Sequence, residues 1–191
     1  MTGPHTDTEL FTRRDAIRVQ NTLRELKKLP IPFKPKKNES WYDVGSGDSI
    51  MRQALVKYSG IKPFTFNLDL DNTRISTIGL QSVFDVITSI EVIEHLLNPL
   101  FHMENLRDML RPSGRLFLTT PNDYSLIYKA EHLLSKKYDP HFHQFSESDL
   151  RELCRRAGIE ILYLRKFRRS AGIGTLARIS KNGLLLIGAK Q

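Results

Sequence analysis

The chain has 191 residues, of which 40% are hydrophobic and 26% charged, the balance of a single globular domain long enough to bury a core. One cysteine, Cys154, excludes an intrachain disulfide, and no apolar run is long enough to span a bilayer. Residues 1–10 are polar and lack the apolar core of a signal peptide, so a cytoplasmic protein with no membrane insertion is expected.

The net charge of +8 is clustered at Lys27-Lys28, Lys34, Lys36-Lys37, Lys136-Lys137 and Arg165 to Arg169. No ladder of stacking aromatics accompanies these clusters, so they read as solvated basic surface, with the arginines at 165–169 as candidates for an anion contact.

Residues 8–29 carry apolar side chains at helical spacing, and the proline-rich 30–35 ends that pattern. Residues 1–38 are therefore expected as an N-terminal helical extension and linker, and 39–191 as the main domain. Residues 41–45 read as a short buried strand entering a glycine turn, and 49–57 as a helix. Strands are expected at 64–69 and 84–90, a helix at 100–110, a turn at 112–114 and a strand at 116–120. Ser146 looks like the N-cap of a helix over 146–157 that ends at Gly158, and late strands follow at 159–164 and 183–187. Strands alternating with helices predict an α/β fold on a mainly parallel sheet, finishing antiparallel.

Two places carry chemistry. The apolar strand at 84–90 runs into Glu91, Glu94 and His95, whose spacings of three and four would share one face if a helical turn starts there. In an open parallel sheet, ligands sit outside the carboxyl ends of the strands. The second place is Asp43–Gly47, where a strand–glycine–helix junction lets a ligand approach backbone N–H groups. A dinucleotide fingerprint would need glycine at position 50, where Ile50 stands, so nicotinamide and flavin are disfavoured. Asp43 would repel a pyrophosphate and suits a cationic ligand. Asp69, ending the second strand, can accept both hydroxyls of a ribose; Asp71 is its nearby competitor.

These residues resemble a class I S-adenosylmethionine-dependent methyltransferase, of the kind of the ubiquinone-biosynthesis-type O-methyltransferases. The resemblance runs from Trp41 to the C-terminus and rests on Asp43–Gly47, Asn67–Asp69, Phe84–His95, Leu110–Asn122 and the His143–Ser146 stretch before the last helix. It implies a Rossmann-like sheet of seven strands with the last antiparallel, and S-adenosyl-L-methionine as cofactor. Gly45, Ser46 and Gly47 would lie against its methionine part, with Asp43 near the amino group. Asp69 would hold the ribose with Leu70 beside it, and Ile90 would lie near the sulfonium. The chemistry would be in-line methyl transfer to an oxygen nucleophile of a small molecule or a saccharide or lipid precursor.

Two departures stand out. Ser49 occupies the place of the family's third glycine. The stretch from Asp71 to Val83 is too short for a helix and a strand, leaving room for a short strand at 74–78 at most. A reduced sheet with an open adenine pocket is therefore expected. The catalytic candidates are His95, His143 and Glu91, with His141 as a further base in the same loop. Small-RNA 2′-O-methyltransferases are similar in their Glu-x-x-Glu-His group and downstream histidine. That likeness implies a divalent metal on Glu91, Glu94, His95 and His143, with manganese or zinc suiting the mixed ligands better than magnesium. RNA is accordingly the second acceptor class, and a non-catalytic binding subunit the third reading. Asn122 is expected on the same side of the sheet, and 123–145 as the substrate cover.

Overall fold

The computed structural model describes residues 13–31, 34–45, 50–66, 68–74, 78–122, 141–168 and 183–190, with side chains from residue 16 onward. In chain order the elements are α1 (Arg13–Lys27), β1 (Trp41–Val44), α2 (Ile50–Ser59), β2 (Phe84–Ile90), a single 3₁₀ turn (Ile93–His95), α3 (Pro99–Met109), β3 (Leu110–Pro121), α4 (Glu147–Ala157), β4 (Ile159–Phe167) and β5 (Gly183–Lys190). The sheet order is β1-β2-β3-β5-β4. β1, β2 and β3 run parallel, and β5 is antiparallel to both its neighbours.

Alternation along the strands sorts the core onto two faces. Tyr42, Ile87, Leu118 and Leu186 face α3 and α4 through Met103, Leu106 and Leu150. Trp41, Val86, Phe117 and Leu185 face α1 and α2 through Leu26 and Leu55. The amphipathic α1 is thus fastened to the sheet, and its Glu25 pairs with Arg165 of β4 at 2.9 Å. α4 starts with Ser146 accepting from the Asp149 amide while the Asp149 carboxylate accepts from the Ser146 amide. It ends on Gly158 at φ 69.

The sheet has five strands among the described residues, not seven. The strand expected at 64–69 contracts to one parallel bridge between Phe64 and Tyr42, flanked by Phe64 N–H to Trp41 O at 2.7 Å and Asp43 N–H to Phe64 O at 3.1 Å. The centre of the short strand expected at 74–78, residues 75–77, lies outside the described residues. Beyond that bridge the 64–69 segment takes no further strand pairing among the described residues. The segment packs by side chains instead, the Phe66 ring 5.2 Å from Tyr42 and the Phe64 ring 6.0 Å from Phe84. The turn expected at 112–114 is taken into β3 as an irregularity of the ladder: the register shifts so that Leu110 pairs with Phe84 and Arg115 with Val86, and Ser113 takes φ 66.

At the amino ends of the strands Arg115 pairs with Glu39 and Arg111 with Asp85, both at 2.9 Å. Burial alone would raise the Asp85 carboxyl, but hydrogen bonds from Ser40 and Arg111 outweigh it and leave it lowered. No helix among the described residues is long and apolar enough to cross a membrane.

Candidate active site

The chemistry-bearing residues gather at the carboxyl ends of the strands. At the end of β1, Asp43 is 2% exposed and accepts a short hydrogen bond from the Thr88 hydroxyl, which in turn accepts from the Trp41 indole N–H at 3.0 Å. Burial, and then the neighbouring Asp43 charge, push the Tyr42 phenol up to about 12, so it stays neutral. Gly45 follows at φ 69, and a Cβ there would meet both methyls of Val92 at 2.9 Å. Glycine is thus required twice, by the left-handed backbone and by the close approach of the segment that follows β2. Ser46 and Gly47, expected against the cofactor, lie outside the described residues.

Asp69 stands exposed in a turn beyond the reduced edge segment. One carboxylate oxygen accepts from the Asp71 and Asn72 amides at 3.1 and 3.2 Å, and the other from the Asn72 side-chain amide at 2.8 Å. Those bonds, the Asn72 side chain first, hold the carboxyl below its usual range. It is an ionised acceptor whose own turn already takes three of its roughly four lone-pair positions. Leu70 is half-buried beside it and packs against the core. Asp71 faces elsewhere: it accepts from the Leu97 and Asn98 amides at 2.8 and 3.1 Å.

The end of β2 departs from a helical turn. Ile90 is buried and pairs with Thr119, and Glu91 then takes φ 60, so the 3₁₀ turn begins only at Ile93. Glu91 and Glu94 therefore do not share a helix face. Glu91 accepts from the Thr119 hydroxyl at 3.1 Å, and Glu94, fully buried, from the Thr120 hydroxyl at 3.1 Å. Successive residues of β3 point to opposite faces, so the two carboxylates are drawn apart.

The loop ahead of α4 returns across this end of the sheet, with Asn122 bridged to Phe145. The Phe142 and His143 amides donate to the Glu94 carbonyl at 2.9 and 3.2 Å. This fixes which histidine meets the acid. One ligand atom each of Glu94, His95 and His141 lies within 4.8 Å of the others, and the two imidazole rings are edge-to-face with centroids 4.8 Å apart. His143 instead sits with a ring nitrogen 3.3 Å from the Leu97 carbonyl and its ring 6.0 Å from Phe145. Of the four residues expected around a metal, Glu94 and His95 come together. Glu91 is turned away by its backbone and His143 by its docking, and His141 joins the pair. His141 stands in the sequence reading as a further base of this loop; whether His141 or His143 faces Glu94 depends on the Asn122–Phe145 register. Residues 123–140 of the expected cover, with Tyr124, Tyr128 and His132, lie outside the described residues.

The chain matches a methyltransferase-domain family over residues 13–164. It belongs to that family. Its fold is that of the class I S-adenosylmethionine-dependent methyltransferases. An S-adenosylmethionine-dependent methyltransferase from Listeria monocytogenes superposes with a TM-score of 0.63 at 12% identity, covering 92% of this chain and 99% of that one. A Haloferax volcanii methyltransferase, solved in complex with the Trm112 methyltransferase activator, gives 0.61 at 15% identity, covering 92% and 90%. Among curated relatives, the ubiquinone biosynthesis O-methyltransferase of Haemophilus ducreyi is 32% identical over 150 residues, 62% of this chain and 64% of that protein. The Nitrosococcus oceani protein of the same name is 29% identical over 147 residues, 62% of each. The chain thus aligns with less than two thirds of the length of these relatives.

In this methyltransferase fold Gly45 and the Glu94–His95–His141 cluster follow the carboxyl ends of the neighbouring parallel strands β1 and β2. Two imidazoles and a buried carboxylate can take a proton from an acceptor or hold a divalent cation.

Proposed function

We propose that this chain transfers a methyl group from S-adenosyl-L-methionine to a hydroxyl of a small apolar acceptor. The observation that carries the reading is the Glu94–His95–His141 cluster at the carboxyl end of β2, beside the glycine turn of β1 that Val92 touches. The acceptor oxygen attacks the methyl carbon as the carbon–sulfur bond breaks; the electron pair returns to sulfur, leaving S-adenosylhomocysteine. The hydroxyl proton passes to His95 or His141, whose rings stand together at the cluster. Asp43, Gly45, Ser46, Gly47, Asp69, Leu70 and Ile90 form the cofactor side, holding the donor for an in-line approach. Leu97 and Phe142 are 66% and 61% exposed on the segments that carry the cluster, which favours an apolar acceptor. The names of the curated relatives support oxygen as the nucleophile. A single cysteine, Cys154, buried and with its thiol pushed up to about 12 by burial, fits a reducing cytoplasmic setting.

The donor set also fits a divalent cation. Glu94, His95 and His141 would hold it, and the nitrogen-rich set suits zinc or manganese better than magnesium. When bound, such an ion acts as a Lewis acid on the acceptor hydroxyl.

The test is transfer of a tritiated methyl group from the cofactor to a panel of apolar phenols and alcohols. The expected product is a methyl ether. His95→Ala or His141→Ala should lower kcat by roughly a hundredfold or more, with little change in the KM for the cofactor. Loss of turnover on chelation, restored by zinc or manganese, would assign the cluster to a cation; turnover that survives chelation assigns it to proton transfer. Full activity in both alanine variants contradicts the role of the cluster. Methylation of short RNA in place of every small acceptor contradicts the substrate class.

A further inference from the structure

The segment 94–98 is held from two sides. Its carbonyls take the acceptor-side loop: Glu94 O accepts from the Phe142 and His143 amides, and Leu97 O lies 3.3 Å from the His143 ring nitrogen. Its amides take the cofactor side: Leu97 and Asn98 donate to one oxygen of Asp71 at 2.8 and 3.1 Å. Asp71 belongs to the Asp69 turn, since its own amide is one of those that donate to the Asp69 carboxylate. Two further bonds fasten this turn to α3: Asn105 to the Thr73 carbonyl at 2.9 Å, and Arg74 to Glu104 at 2.8 Å. Arg74 also lies over the Phe101 ring, 4.1 Å from its centroid. Where the family resemblance implies a helix and a strand, this chain docks its turn directly on the segment that carries His95.

From this geometry we infer that Asp71 is a positioning residue that couples occupation of the cofactor's ribose turn to the placement of His95, His141 and His143. The inference rests on the proposed methyltransferase reading. Its physical content is a two-residue lever. A ribose engaging Asp69 fixes the turn, Asp71 then fixes the amides of Leu97 and Asn98, and the carbonyls of the same segment fix the histidine loop. The cofactor should accordingly bind first and ready the acceptor site.

The lever can be cut without touching the ribose turn. Asp71→Ala removes the side-chain oxygen but keeps the backbone amide that Asp69 uses, whereas Asp71→Asn keeps an oxygen able to accept both amides. Histidine ring resonances are recorded by NMR on the full chain during titration with S-adenosylhomocysteine. In the unaltered protein the rings of His95, His141 and His143 should shift as the ligand binds. Asp71→Ala should still bind it but lose most of that response and drop kcat by about tenfold or more, and Asp71→Asn should restore both. Amide exchange in the unaltered protein gives a readout that needs no variant: Leu97 and Asn98 should exchange more slowly when the ligand is bound. An unchanged histidine response in Asp71→Ala overturns the inference, as does binding that leaves those two amides unprotected, and both outcomes leave the methyltransferase reading standing. Failure of the unaltered protein to bind S-adenosylhomocysteine at millimolar concentration overturns both.

Discussion

His102 lies wholly buried between α3 and β2, with a ring nitrogen 3.3 Å from the Ser89 hydroxyl. Burial drives its pKa down to about 4, against a smaller upward pull from Asp71. The unfolded chain therefore takes up a proton near pH 6.5 that the folded chain refuses until about pH 4. Stability should fall as pH drops through that window and level off below it, by up to about 3 kcal/mol for this group. Urea unfolding between pH 7 and pH 4 reads the slope, and His102→Gln should flatten it. At the same scale, the residues that make the site differ in how readable they were. Asp43, Asp69 and Glu94 announce themselves as acids at strand ends. The hydroxyls of Thr88, Thr119 and Thr120, which orient Asp43, Glu91 and Glu94, do not. Their role depends on cross-strand register, which no local spacing encodes.

The elements show where local rules sufficed. α4 is set by a Ser146–Asp149 capping box and a left-handed Gly158, both local signals, and its bounds match the expectation to within a residue. Ser146→Ala should cost about 1 kcal/mol of stability, measured by urea denaturation, and the loss should be accompanied by fraying of the helix start that anchors the histidine loop. The region between β1 and β2 shows the opposite. Phe64, Phe66, Leu68 and Leu70 alternate as a strand should, yet one bridge forms, because a strand needs neighbours and none pairs with its outer edge among the described residues. The expected helical turn at 91–95 failed for a similar reason. Glu91 leaves β2 in a left-handed conformation, with its amide still paired to Thr119 O at 2.9 Å, so the ladder, not helix propensity, sets its backbone.

At the scale of the molecule, the parallel β1-β2-β3 core, the antiparallel β5 and the polarity of the sheet were legible from the alternation of apolar strands and helices. The ion pairs Glu39–Arg115 and Asp85–Arg111 mark the amino ends, and the acid–imidazole cluster marks the carboxyl ends. The basic surface has a structural use in part: Arg165, expected as an anion contact, is engaged by Glu25 of α1, and Lys27 lies over the Tyr58 ring at 5.1 Å. The single bridge in place of the strand expected at 64–69 and the three bonds that Asp69 accepts within its own turn make cofactor binding the point on which the whole account depends. Isothermal calorimetry of the full chain with S-adenosylhomocysteine tests it directly. The account predicts saturable single-site binding with a Kd in roughly the micromolar range, about −8 kcal/mol, weakened by about tenfold or more in Asp69→Ala. An absence of binding heat at millimolar ligand would contradict it.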